Sequence, residues 1–76
     1  MDINEFIGVF SSLWDETEPE VFTPDCEFHE LEEWSSLLAF AILNLIAKKY
    51  GVKVLLQEMR TCVTIQDLYD IVQSRL

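Results

Sequence analysis

From Leu37 to Ala47 every residue is apolar except Asn44, an eleven-residue run with Ser35 and Ser36 before it and Tyr50-Gly51 after it. Serine just ahead of an apolar run marks a helix start, and glycine just past it supplies the positive φ of a helix end. Eleven residues fall well short of the roughly 20 that a membrane-spanning helix needs, so this is a core helix and no membrane insertion is expected. Within it, Phe40, Ile42, Leu43, Ile46 and Tyr50 are expected to face inward. Leu37, Leu38, Ala41, Asn44, Leu45 and Lys48 are expected to face outward. Such a helix is apolar nearly all round, and a helix of that kind must be covered, by the rest of the fold or by a partner.

The flanking segments supply further helices. Ile3, Phe6, Ile7, Phe10, Leu13 and Trp14 repeat at i, i+3, i+4, i+7, which predicts an amphipathic first helix over 3–14. Residues 15–34, with Pro19 and Pro24, show no sustained period and are expected to form a long loop. A connection of that length is uncommon in a compact domain and is usually functional or disordered. Val21, Phe22, Phe28 and Leu31 are expected to pin parts of it to the core, with room for a short helical turn. Lys53 to Arg60 suggests a brief third helix around Leu55, Leu56 and Met59. Thr64-Ile65-Gln66-Asp67 reads as a capping box with Asp in place of Glu, and Ile65, Leu68, Ile71, Val72 and Leu76 continue as one apolar face, predicting a fourth helix over 65–75. The expected fold is all-α: one domain, 1–76, a small four-helix bundle of three main helices, one short helix and a long first loop.

Charge is segregated along the chain. Residues 1–33 hold eleven acids and no Lys or Arg, giving −11; residues 34–76 hold three acids and five bases, giving +2 and the total of −9. Nucleic-acid backbones need clustered Lys and Arg, so nucleic acid is excluded as a partner class. An acidic surface instead attracts proteins with basic docking patches, or simply keeps the chain in solution. With 50% hydrophobic residues and nine aromatics the chain is too apolar to stay disordered. A chain this short buries only about 60% of its unfolded surface on folding, which leaves little room for a catalytic cleft. Met1-Asp2-Ile3-Asn4-Glu5 lacks the basic, then apolar, pattern of a secretory signal, and a cytoplasmic location is expected.

Few residues offer chemistry. Cys26 and Cys62 lack CxxC spacing and a set of histidines, so they read as buried thiols and not as zinc ligands. His29 has no Ser or Cys partner at a triad-like spacing and reads as a loop histidine, while Trp14 and Trp34 read as anchors of the first helix and the loop. No nucleophile, base and oxyanion set can be assembled, so the chain is not expected to be an enzyme. What remains is the serine pair at a helix N-terminus, where unpartnered N–H groups and the positive end of the dipole favour a phosphate ester on a serine hydroxyl. The same pair also reads as a plain tandem cap.

Phe28, Ser36-Leu37, Tyr50-Gly51-Val52-Lys53-Val54 and Thr64-Ile65-Gln66-Asp67-Leu68 stand in an order and at spacings that, over residues 28–72, resemble an acyl carrier protein. Each motif is short, and the weight lies in the whole ordered set. In that family the motif is Asp-Ser-Leu, and the resemblance puts Ser36 at the serine that carries a 4′-phosphopantetheine arm and Leu37 at the leucine. It implies a phosphopantetheinyl transferase and acyl-loading and acyl-processing enzymes as partners, with Leu37, Leu38, Ala41 and Leu45 of the second helix in the docking face, and a monomer. It also implies a core that parts to shelter an acyl chain; Ile46, Val54, Met59, Cys62 and Leu68 would line such a cleft, or serve as ordinary core.

Two departures from the family pattern stand out. Ser35 occupies the place of the Asp, with Glu33 and Trp34 on the approach where a Gly is often found. Serine caps a helix about as well as Asp does, but without the charge that would help place a transferase's cations. Glu32 and Glu33 are the nearby acids expected to take that part. The second helix also lacks the acids that family members present to basic partners, which implies docking by apolar packing. A helical interaction module without a prosthetic group is the competing expectation.

Overall fold

A computed structural model describes residues 1–76, and every regular element in it is helical: α1 Ile3–Ser11, α2 Ser36–Tyr50, α3 Leu56–Thr61 and α4 Ile65–Ser74. No strand forms, and the fold is the small helical bundle expected. α1 packs on α4 and α2 on α3, in a body of 29 × 24 × 20 Å. None of the helices is long and apolar enough to cross a membrane.

Each boundary has a local cause. Asp2 caps α1 by accepting from the Asn4 N–H at 3.1 Å. The helix stops at Ser11, three residues short of the expected end, where the Ser11 and Ser12 hydroxyls donate back to the Gly8 and Val9 carbonyls. Such bonds compete with continued helix. Trp14 is buried all the same, because the turn after α1 folds it inward. α2 starts and ends where expected. Ser35 caps it, and Gly51 closes it at φ 69°, donating its N–H to the Ala47 carbonyl at 2.9 Å.

α3 begins at Leu56 and not at Lys53. Val52 and Val54 are both buried while Lys53 and Leu55 face solvent, a period of two that holds this stretch extended. Glu58 then reaches back to the Leu55 N–H at 3.0 Å and starts the helix. At α4 the Thr64 hydroxyl accepts from the Asp67 N–H, and the Asp67 carboxylate accepts from the Val63 and Thr64 N–H groups at 3.0 and 3.1 Å. This is the capping box with Asp. α4 ends at Ser74, and Leu76, expected on its apolar face, is exposed.

The core draws on every helix and on the long connection: Phe6 and Phe10 of α1, Phe28 of the loop, Ile42 and Ile46 of α2, Met59 of α3, and Ile65, Leu68 and Val72 of α4 are fully buried. Residues 15–34 contain two 3-10 turns, Pro19–Val21 and Phe28–Glu30. Phe22 and Phe28 pin the loop as expected, Leu31 is half-buried, and Val21 faces solvent. The carbonyls of Cys26 and Pro24 accept from the Ile65 and Gln66 N–H groups at 3.2 and 2.9 Å, so the loop satisfies donors that the first turn of α4 would leave free. Across the other end of the bundle Arg75 pairs with Glu58 and donates to the Lys53 carbonyl, tying α4 to α3.

Candidate functional site

The serine pair divides into two roles. Ser35, in extended conformation, accepts from the Leu38 N–H at 3.1 Å and is the cap. Ser36 is the first residue of α2, is exposed, and its hydroxyl takes no part in the hydrogen bonding of the protein. The Leu38 and Ala39 N–H groups are spent on the Ser35 side chain and carbonyl, which leaves the Ser36 and Leu37 N–H groups open at the positive end of a 15-residue helix. Leu37 stands beside the hydroxyl with 81% of its surface in solvent. A phosphate ester on Ser36 thus meets free amides and open space. These residues fit a phosphopantetheine attachment, although no side-chain cation stands with them.

The acids expected near the serine behave differently from one another. Glu33 accepts from the Asp15, Glu16 and Thr17 N–H groups and from the Thr17 hydroxyl, over 2.5–3.0 Å. Those donors, the Asp15 amide foremost, hold its carboxyl below the usual range. It is a clasp that fixes the end of the α1 turn against the approach to α2, and so is not free to place a cation for an enzyme. Glu32 is exposed and borders an open depression with Glu16, Thr17, Leu31 and Glu33. Asp15, which makes no side-chain hydrogen bond of its own, shares with Glu33 a shallow hollow of about 300 Å³ that is also lined by Leu13, Ser35, Leu37, Leu38 and Ala41. Sequence reasoning missed Asp15, since only the Glu33 clasp carries residue 15 to the head of α2.

The phase of α2 differs from expectation at Phe40, and the expected outward positions Leu38, Ala41 and Leu45 are half-buried. Ala39, Ile42 and Ile46 form its buried stripe, with Leu38 and Leu43 packed half-buried beside them. Phe40, expected inward, points out and is 52% exposed. Because the helix is apolar on all sides, periodicity could not choose between neighbouring stripes, and the slot nearest the other helices admits alanine in place of phenylalanine. Of the expected docking positions Leu37 is exposed, whereas Leu38, Ala41 and Leu45 are half-buried. Asp15 and Glu33 of the acidic connection border this face at Leu37, Leu38 and Ala41, and Leu37 and Phe40 stay open to solvent. A groove of about 430 Å³ runs beside it, between Phe40, Leu43, Asn44 and Ala47 of α2 and Lys53, Val54, Leu55 and Leu56.

The five residues considered for an acyl cleft, Ile46, Val54, Met59, Cys62 and Leu68, are packed as ordinary core. All three concavities of the molecule open to solvent, so none is an internal cavity. Cys26 and Cys62 are buried free thiols, and burial raises both, Cys62 to about 11, so neither is a ready thiolate. His29 lies half-buried against Phe28 and edge-on to Trp34. No group of three or more His, Cys, Asp or Glu is placed to hold a metal ion. Compared with known proteins, the chain matches no family model, no curated protein and no solved structure.

Proposed function

We propose that the chain is an acyl carrier: Ser36 bears a 4′-phosphopantetheine arm and presents acyl groups to partner enzymes of fatty-acid, polyketide or related biosynthesis. The observation that carries this reading is the free, exposed Ser36 hydroxyl on the first residue of α2, with the capping duty taken by Ser35. The ordered motifs over residues 28–72 support it alongside. The chain itself catalyses nothing in this reading. A phosphopantetheinyl transferase takes the arm from coenzyme A: the Ser36 Oγ–P bond forms as the pyrophosphate P–O bond breaks, 3′,5′-adenosine diphosphate leaves, and the serine proton passes to a base of the transferase. The Ser36 and Leu37 N–H groups favour the phosphodiester charge that results. When bound, the arm supplies a thiol that holds the cargo as a thioester. Leu37 gives the visiting enzyme an apolar contact next to the serine, and Asp15 supplies the carboxylate that Ser35 lacks. The Glu33 clasp keeps the approach to α2 in one place, so that the point of attachment is fixed relative to the docking face.

The test is intact-mass measurement after co-expression with broad-specificity phosphopantetheinyl transferases. One added arm is expected, absent from Ser36→Ala, retained in Ser35→Ala and added more slowly in Asp15→Asn. A chain left unmodified by several transferases would overturn the carrier reading. The second reading, a helical interaction module without a prosthetic group, is favoured by the uncovered Leu37 and Phe40 and would then stand.

A further inference from the structure

The groove beside α2 has an electrostatic character opposite to that of the molecule as a whole. It is floored by Leu43, Val54 and Leu56 and flanked by Phe40 and Leu55, the last two 52% and 45% exposed. From Trp34 to Gln57 the chain holds Lys48, Lys49 and Lys53 and no acid, while eleven of the fourteen acids precede it. Lys53 lines the groove, and Lys48 follows Asn44 and Ala47 along the exposed side of α2. The one ion pair in the protein joins Arg75 to Glu58, so the three lysines have no acidic partner. The head of α2, where Asp15 and Glu33 border the hollow beside Ser35, is acidic, and its far end is cationic.

We propose that this groove docks a protein partner that inserts an apolar side chain between α2 and the Lys53–Leu56 segment and sets carboxylates against Lys53 in the groove wall and Lys48 at its rim. The unpaired lysines select the partner's charge, and the groove selects its apolar anchor. A second copy of the chain is disfavoured because each copy carries a net charge of −9. An anionic bilayer is a flat surface wider than the protein and would meet the acidic residues as well as the lysines, whereas a side chain entering the groove meets the lysines within a screening length and leaves the acidic head of α2 in solvent. Nothing in this docking requires a group on Ser36, so it goes beyond the carrier reading and stands or falls separately.

The experiment is a titration of the ¹⁵N-labelled full chain, and of its Ser36→Ala form, with two synthetic amphipathic helical peptides that share one Leu/Phe stripe. One is flanked by Glu and the other by Lys. The Glu-flanked peptide is expected to shift the amides of Phe40–Ala47 and Lys53–Leu56 in both protein forms, and Phe40→Ser is expected to weaken it about tenfold, as loss of a central anchor does. Lys48→Glu with Lys53→Glu is expected to reverse the preference toward the Lys-flanked peptide, with unchanged helicity by circular dichroism. The proposal is overturned if neither peptide binds, if the native chain prefers the Lys-flanked peptide, or if the charge reversal leaves the preference unmoved. Sedimentation showing a dimer that Phe40→Ser dissolves, or co-flotation with phosphatidylserine vesicles that Phe40→Ser abolishes, would overturn it in favour of a second copy or a membrane.

Discussion

Ser35 and Ser36 are chemically identical and one residue apart, yet only the first is held by a hydrogen bond. Replacing the capping serine with alanine leaves the Leu38 N–H without its partner, a loss of about 1 kcal/mol. Ser36→Ala removes a solvated hydroxyl and changes stability by less than about 0.5 kcal/mol. Urea unfolding of the two variants checks this difference, with m expected to stay constant. Glu58 behaves as a second discriminating residue. Hydrogen bonds from Arg75, and then from the Leu55 N–H, lower its carboxyl from 4.5 to about 2. The unfolded chain therefore takes up a proton here before the folded chain does, so the stability contributed by Glu58 is fully present above pH 4.5 and is lost as pH falls through 2. The gap in denaturation midpoint between the native chain and Glu58→Gln is expected to narrow steadily across that window. A gap that stays constant with pH would remove the carboxylate's charge from the account.

Helix ends marked by a cap residue were legible from the chain alone. α2 was readable at both ends because a serine hydroxyl and a left-handed glycine are required at its two termini. The Thr64 to Asp67 box located the start of α4 in the same way. α3 was displaced by three residues because its beginning is set by the burial of Val52 and Val54 in extended chain, a tertiary effect invisible to helical periodicity. The end of α1 was overrun because Leu13 and Trp14 continue the apolar pattern past the point where two serines halt the helix. Gly51 tests the importance of such punctuation: a Cβ there meets no atom within 4 Å, so Gly51→Ala is opposed by backbone strain alone. The expected loss is about 1–2 kcal/mol, read as a lowered thermal midpoint, with Gly51→Asn losing less.

For the whole molecule, the long connection between α1 and α2 is part of the core and not an appendage. Phe22 and Phe28 pack with Phe10 and Trp14 in edge-to-face contacts, and the loop carbonyls satisfy the head of α4. A chain of this length has a total stability of about 4–11 kcal/mol, and truncating a fully buried phenylalanine removes about 3–5. Phe28→Ala is therefore expected to remove between about a quarter and all of that stability, read as a lowered urea midpoint, with helices distant from residue 28 lost together in a single transition by circular dichroism. Persistence of α1 and α4 after loss of the loop would show that the connection is energetically separate. The sequence revealed that some loop aromatics must be inward, but not that Glu33 would bind three consecutive amides from residues 15–17, since that pairing depends on the fold bringing two polar stretches together. The same clasp hid the neighbourhood of Asp15 and Ser35, and the uniform apolarity of α2 hid the outward turn of Phe40.

Trp14 and Trp34, the only two indoles in the chain, stack with their rings 6.0 Å apart and 27° from parallel, next in sequence to Asp15 and Glu33, two partners of the clasp. At that separation their electronic transitions couple, so the folded chain should show a split ultraviolet dichroism band that vanishes when the rings part. The protein thus contains its own optical gauge at the head of α2, able to report in unlabelled material whether an event at Ser36 disturbs the frame that holds it.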